Sequence, residues 1–127
     1  MPSQKRQSGD KGENKAVEFL LEHRYKIIDR NFRIKNLGEI DIVAEKKNKL
    51  YFIEVKTRDV KHETYFPIQF SIDEKKRKNL KRICQLYLID KKLENKNWQV
   101  DAIFVKRETI HKDQVEHLEN ILWEKYY

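Results

Sequence analysis

The chain holds very little of the covalent and conformational hardware that staples or breaks small proteins. It has one cysteine, Cys84, in 127 residues. An internal disulfide framework is therefore excluded, and a reducing cytoplasm is the expected setting. No apolar run approaches the roughly 20 residues of a membrane span, so no membrane partner is expected. The opening MPSQKRQSGDKGENK lacks the apolar centre of a secretory signal. Three glycines and two prolines leave no linker of the Gly/Pro type. There are no repeats and no low-complexity tract beyond the polar residues 1–8, which read as a flexible lead-in. The four histidines, His23, His62, His111 and His117, are scattered without zinc spacing and read as surface or packing residues. The length allows one domain with one core and is too short for two.

What is abundant is charge. Lys and Arg number 28 against 21 Asp and Glu, a formal +7, with pI near 9.4. From Glu108 onward there are two basic residues and five acids, so the first 107 carry +10. A basic body suits a polyanion, and nucleic acid is the commonest one. A merely lysine-rich surface is the plain alternative.

After Gly12, apolar Ala16, Val17, Leu20 and Leu21 follow helical spacing and predict an amphipathic helix. YKIIDRNFRI predicts a strand. Residues 59–70 lack periodicity, contain Pro67 and read as a loop. Ser71 with Glu74 forms a capping-box signature before a helix whose stripe is Leu80, Ile83, Cys84, Tyr87 and Leu88. Lys75, Lys76, Arg77, Lys78, Lys81 and Arg82 crowd its first half. WQVDAIFVK alternates like a strand, and VEHLENILWEKYY fits either a short strand with a turn or a helix. The order α-β-β-β-α-β indicates an α/β sandwich around a mixed sheet.

Between these lies GEIDIVAEKKNKLYFIEVKTR, residues 38–58. A two-residue turn at Lys47-Asn48 makes every opposed pair sum to 95. Asp41 then faces Glu54, and Glu39 faces Lys56. Period-two alternation puts these four with Val43 and Phe52 on one face, and Ile40, Ile42, Ala44, Tyr51, Ile53 and Val55 on the other. Like charges directly opposed in a sheet destabilise it by a few tenths to roughly 1 kcal/mol, and desolvation adds more. A cation resolves the conflict. Mg²⁺ is held by one or two carboxylates plus other oxygens, here Asp41, Glu54 and the carbonyl of Val55. Lys56 returns to the same face, within reach of a phosphate or attacking water. Glu13 continues the stripe of the first helix toward the sheet, although an acid there is also favoured by the helix dipole. Each short motif alone reads as a solvated strand face. The conjunction of Asp41 with Glu54-x-Lys56 on opposed apolar strands is what points to a metal site.

These residues resemble the core motif of the PD-(D/E)xK nuclease superfamily, which has the restriction-endonuclease-like fold. GEIDIVAE with LYFIEVKTR is similar, more closely, to the YraN family of Holliday-junction-resolvase-like proteins. GENKAVEFLLEHRYKIIDRNFR, the basic helix from Lys76 to Leu88 and VDAIFV extend the likeness to about residue 120. Two positions depart from it: Ile40 stands where the namesake motif has Pro, and Pro67 follows Phe66 where a glycine is expected.

The resemblance implies one nuclease-like domain over 1–127 and a Mg²⁺- or Mn²⁺-dependent endonuclease acting on branched or duplex DNA. In that reading Asp41 and Glu54 bind metal, and Glu13 and Glu39 are auxiliary acids. Lys56 stabilises charge on the phosphate. Thr57, Arg58, Lys75, Lys76, Arg77 and Lys78 are phosphate contacts. The resemblance also implies a homodimer, for which the loop aromatics Tyr65, Phe66 and Phe70 are natural contacts. The alternative is a module that holds DNA or RNA on the same basic surface without cutting it.

Overall fold

One neighbouring strand pair, the third in chain order, is parallel, and that fact shapes the molecule. The computed structural model describes residues 4–59, 73–107 and 112–122. Strands β1 (Lys26–Ile34), β2 (Gly38–Lys46), β3 (Lys49–Asp59), β4 (Asn97–Arg107) and β5 (Gln114–Leu118) lie in that order across one sheet. All neighbours are antiparallel except β3 and β4. A parallel pair needs a crossover, and α2 (Glu74–Asp90) lies in it. Helix α1 (Gln4–Glu22) covers the opposite face. The result is the expected α/β sandwich, a mixed sheet between two helices.

Each face has its own core. Leu80, Ile83, Cys84, Tyr87 and Leu88 of α2 pack on Val43, Phe52, Val100, Ala102 and Phe104. Ala16 and Leu20 of α1 pack on Ile42, Ala44, Ile53, Ile103 and Val105. Burial drives the Cys84 thiol above its usual range, so it remains a small apolar group rather than a nucleophile.

The β2–β3 hairpin has the register set by its turn: Lys46 pairs with Lys49 and Ile42 with Ile53. Both turn residues take positive φ, 50° at Lys47 and 63° at Asn48, as a two-residue turn of the right twist requires.

Alternation does not hold along the whole of β2. Ile40 packs on the α2 side with Val43, whereas Ile42 packs on the α1 side, although both are even-numbered. The expected grouping of Ile40 with Ile42 is therefore corrected. The neighbouring strand changes face at the same level. Asn31, with φ 58°, sits between the pairs Arg30–Ile42 and Phe32–Ile40, and Phe32 packs edge-on against Tyr87 of α2. A single residue in left-handed conformation breaks the pleat, and the strand beyond it presents the other face.

Two helix starts also differ from the expectation. Helix α1 begins at Gln4, before Gly12. Helix α2 is capped by Asp73, whose carboxylate accepts from the Lys76 N–H at 2.7 Å. Ser71 lies outside the described residues, as do Tyr65, Phe66, Pro67 and Phe70. Aspartate caps as well as serine does, and its position two residues closer to the stripe decides. The ambiguous C-terminal stretch, as far as it is described to Leu122, is a short strand followed by a turn, with the Ile121 N–H bonded to the Val100 carbonyl at 2.7 Å.

Candidate active site

The sheet forks. The β2–β3 ladder ends at Ile42–Ile53. Beyond it β2 stays with β1 as far as Gly38–Ile34, while β3 stays with β4 as far as Asp59–Arg107. Asp41 and Glu54 are the first residues past the last shared pair, one on each arm. In place of a backbone carbonyl, Asp41 Oδ2 accepts the Val55 N–H at 2.7 Å. A residue in a strand points its N–H and C=O to the same side, so the Val55 carbonyl also faces the fork.

Asp41 is an unusual carboxylate. Burial raises its pKa most; the Val55 hydrogen bond opposes this, and the charges of Glu13, Glu39 and Glu54 push it up again, to about 6. Glu13 of α1 is the leading charge in that set. It is buried, and Arg30 of β1 grips it, with Nε at 3.1 Å and Nη2 at 3.0 Å from Oε1. Arg30 also donates to Asn14 Oδ1 at 2.8 Å.

Glu54 faces α2. Its Oε1 accepts from Lys56 Nζ at 3.1 Å and from Lys76 Nζ at 2.9 Å. Its Oε2 is buried and has no hydrogen-bond partner among the described residues. The side chain is only 14% exposed. Burial pulls the Lys76 ammonium pKa down, but the hydrogen bond and charge of Glu54 outweigh it and the net shift is upward. An acid with one oxygen doubly engaged and the other orphaned is incomplete as a structural ion pair, because an unpaired buried oxygen costs about 1–3 kcal/mol.

Glu39 pairs with Arg33 and not with Lys56, which the register sets opposite it. It bonds Arg33 Nη2 of β1 at 2.7 Å, because β2 has left β3 and Arg33 is its ladder partner. Glu39 and Glu54 line a cavity of about 220 Å³ with Gly38, Asp73, Lys76 and Asn79. Lys75 borders this cavity too. Lys78 is paired with Glu74 at 3.7 Å on the exposed side of α2. Arg77 is half-buried and Arg58 is exposed at the far end of β3. Thr57 turns toward α1: a Cβ at Gly12 would lie 1.9 Å from its Oγ1. Gly12 lies inside the helix, where the backbone rests on this threonine and a side chain has no room.

The sequence reading missed two arrangements. Arg30 is one; its only signal is its place in β1 opposite Ile42 on the α1 side. The other centres on Asp101 of β4, which is fully buried. Its Oδ1 accepts from Gln99 Nε2 at 2.8 Å and Asn120 N at 2.9 Å, and its Oδ2 lies 2.8 Å from His117 Nε2. Asp101, His117 and Glu119 come close enough to share an ion. The Asp101 oxygens are already supplied with donors, however, and the cluster acts as a buckle joining β4, β5 and the turn after β5. The period-two pattern of WQVDAIFVK gives Asp101 an inward face, which is the one available clue.

Comparison with known proteins places the molecule. Residues 12–105 match the uncharacterised protein family UPF0102. The chain belongs to UPF0102, the YraN family. A UPF0102 protein of Caldicellulosiruptor saccharolyticus is 42% identical over 101 residues, covering 80% of this chain and 83% of the relative. One from Acetivibrio thermocellus is 36% identical over 104 residues, covering 82% and 78%. One from Campylobacter lari is 37% identical over 113 residues, covering 89% and 91%. The UPF0102 match begins one residue before Glu13 and so takes in Glu13, Glu39, Asp41 and Glu54, with Arg30, Lys56 and Lys76. Among the described residues no helix is long and apolar enough to cross a membrane.

Proposed function

We propose that this UPF0102 protein is a Mg²⁺- or Mn²⁺-dependent endonuclease that hydrolyses phosphodiester bonds in branched or structured DNA. One observation carries the reading: the half-satisfied carboxylate of Glu54 beside the raised carboxyl of Asp41. A buried oxygen without a donor, a neighbouring acid and a converging carbonyl form an all-oxygen set suited to a hard divalent cation.

Asp41, Glu54 and the Val55 carbonyl would hold the ion. When bound, such a cation polarises the phosphate and lowers the pKa of an attacking water. The chain's own groups do the rest. Glu13, fixed by Arg30, is placed to accept a hydrogen bond from that water and align it. Lys56 faces the negative charge that grows on the phosphate oxygens. The water oxygen bonds to phosphorus as the bond from phosphorus to the departing sugar oxygen breaks, and that oxygen leaves with a proton. Lys75, Lys76, Arg77, Lys78 and Arg58 offer cations for the backbone on either side, whereas Thr57 serves the seating of α1. The loop that would carry a dimer contact lies outside the described residues.

The two lysines on Glu54 favour a second reading. A carboxylate neutralised by ammonium groups suits a module that binds DNA or RNA through its basic surface and cuts neither. The test is incubation of purified protein with a four-way junction, a flap, a duplex and a single strand in Mg²⁺, Mn²⁺ or EDTA. Metal-dependent cleavage that Asp41→Asn abolishes is expected. Tight binding with no cleavage of any substrate in either metal would replace the first reading with the second.

A further inference from the structure

Lys76 is the last residue expected in an acidic metal site, yet it is closer to Glu54 than Lys56 is, at 2.9 Å against 3.1 Å. It comes from another element, the first turn of α2, and that turn is held by the Asp73 cap. Its ammonium sits on the one Glu54 oxygen that has partners, beside the oxygen that has none. The cavity of about 220 Å³ adjoins this contact, with Gly38 and Asn79 in its lining, so the lysine has space to leave into.

We propose that Lys76 is the built-in counter-ion of Glu54, released when a divalent cation occupies the fork. This inference rests on the metal-site reading above. Cation and ammonium compete for the same carboxylate, because a cation drawn to Asp41 and Glu54 is repelled by a second positive charge on Glu54. Expelled from Glu54, Lys76 stays tethered to the basic first half of α2. There it joins Lys75, Arg77 and Lys78 as a phosphate contact. Metal binding thus adds one cation to the nucleic-acid surface, and the coupling is reciprocal. Lys76 is a positioning residue in this scheme, and Lys56 remains the group beside the phosphate.

The test is a calorimetric Mn²⁺ titration of the wild type, Lys76→Met, Lys76→Gln, Lys81→Met and Asp41→Asn. Removing the competitor should tighten Mn²⁺ binding about two- to fivefold in both Lys76 variants, the range for a half-exposed ion pair. Lys81→Met removes the same charge from an exposed position of the same helix, one with no role at the fork or on the phosphate, and it should leave the affinity unchanged. Junction-DNA affinity measured in Ca²⁺ against EDTA should rise for the wild type and rise less for Lys76→Met. A purely structural lysine would weaken Mn²⁺ binding when lost, not strengthen it. Equal or weaker Mn²⁺ binding by both Lys76 variants overturns the release of Lys76 while leaving the metal site intact. An equal gain in Lys81→Met also overturns it, since the effect would then be the general field of the helix. Absence of Mn²⁺ binding in the wild type overturns the metal site, and this inference with it.

Discussion

Asp41 and Val55 form the hinge pin of the site: the carboxylate of one closes on the backbone N–H of the other at 2.7 Å, just where their strands stop pairing. The bond lets β2 and β3 separate without leaving a buried donor unpaired. It also fixes the Asp41 carboxylate at the fork, where the charge of Glu54 is felt. Its chemistry allows the charge and the shape of Asp41 to be separated by mutation.

Asp41→Asn keeps an acceptor for Val55 and removes the charge. The folded carboxyl titrates near 6 and the unfolded one near 3.8, so the folded state binds its proton more tightly. Its contribution to stability therefore falls as pH rises from the unfolded value through the folded one, and the penalty is complete at neutral pH. In EDTA, the variant should gain about 2 kcal/mol on the wild type between pH 4 and pH 7.5, after allowance for partial solvent access. Urea midpoints at both pH values measure it. A variant that is less stable at pH 7.5 would mean that the Asp41 charge itself is stabilising.

Lys56→Ala separates chemistry from affinity. Lys76 remains on Glu54, so the metal-free fold should survive. Cleavage should fall by about a hundredfold or more, the usual cost of removing a group that faces developing charge. Binding of uncleaved junction DNA in Ca²⁺ should change little, since one cation among many contributes little. Equal losses in the two assays would make Lys56 an ordinary backbone contact.

Gly12→Ala tests how the first helix is seated. The new Cβ would lie 1.9 Å from Thr57 Oγ1 and 2.8 Å from its Cβ and Cγ2. Alanine normally favours a helix over glycine, yet here we expect a loss of about 1–3 kcal/mol from overpacking. Thr57→Ala should restore part of it in the double variant, giving a favourable coupling in a thermal-melt cycle. Mn²⁺ affinity should fall as well, because Glu13 is the next residue and moves with the helix. Wild-type stability in the single variant would show that the helix does not rest there.

Asp101→Asn should damage the fold and spare the site. Three donors converge on this buried carboxylate. An asparagine amide group would turn a donor toward one of them and leave it unpaired, at a cost of about 2–3 kcal/mol. A lowered melting temperature with unchanged Mn²⁺ affinity is expected. Lost Mn²⁺ affinity with an unchanged melt would instead place a metal at Asp101, His117 and Glu119.

Much of this molecule was legible in one dimension because it depends on near neighbours. The hairpin register follows from a two-residue turn and a period of two, so Asp41 and Glu54 were brought to one level by counting. The stripes of α1 and α2 follow from helical spacing, and the inward side of Glu13 follows from Ala16 and Val17. The sequence by itself thus determined the hairpin, the stripes of both helices and the α/β sandwich they make. What only the tertiary structure decided are the contacts between elements far apart in the chain. Local pattern does not specify that Asn31 turns over the pleat beside Asp41 and sends Ile40 to the other face. Nor does it specify that Glu39 follows β1 and pairs with Arg33 instead of Lys56, or that Arg30 reaches Glu13. The Lys76 contact with Glu54 depends on where the crossover helix lands, and the Asp101 buckle depends on β5 closing against β4. Spacing along the chain sets which way a side chain points. Which group it meets is set by the packing of whole elements, whose energy is summed over both cores rather than over any one motif.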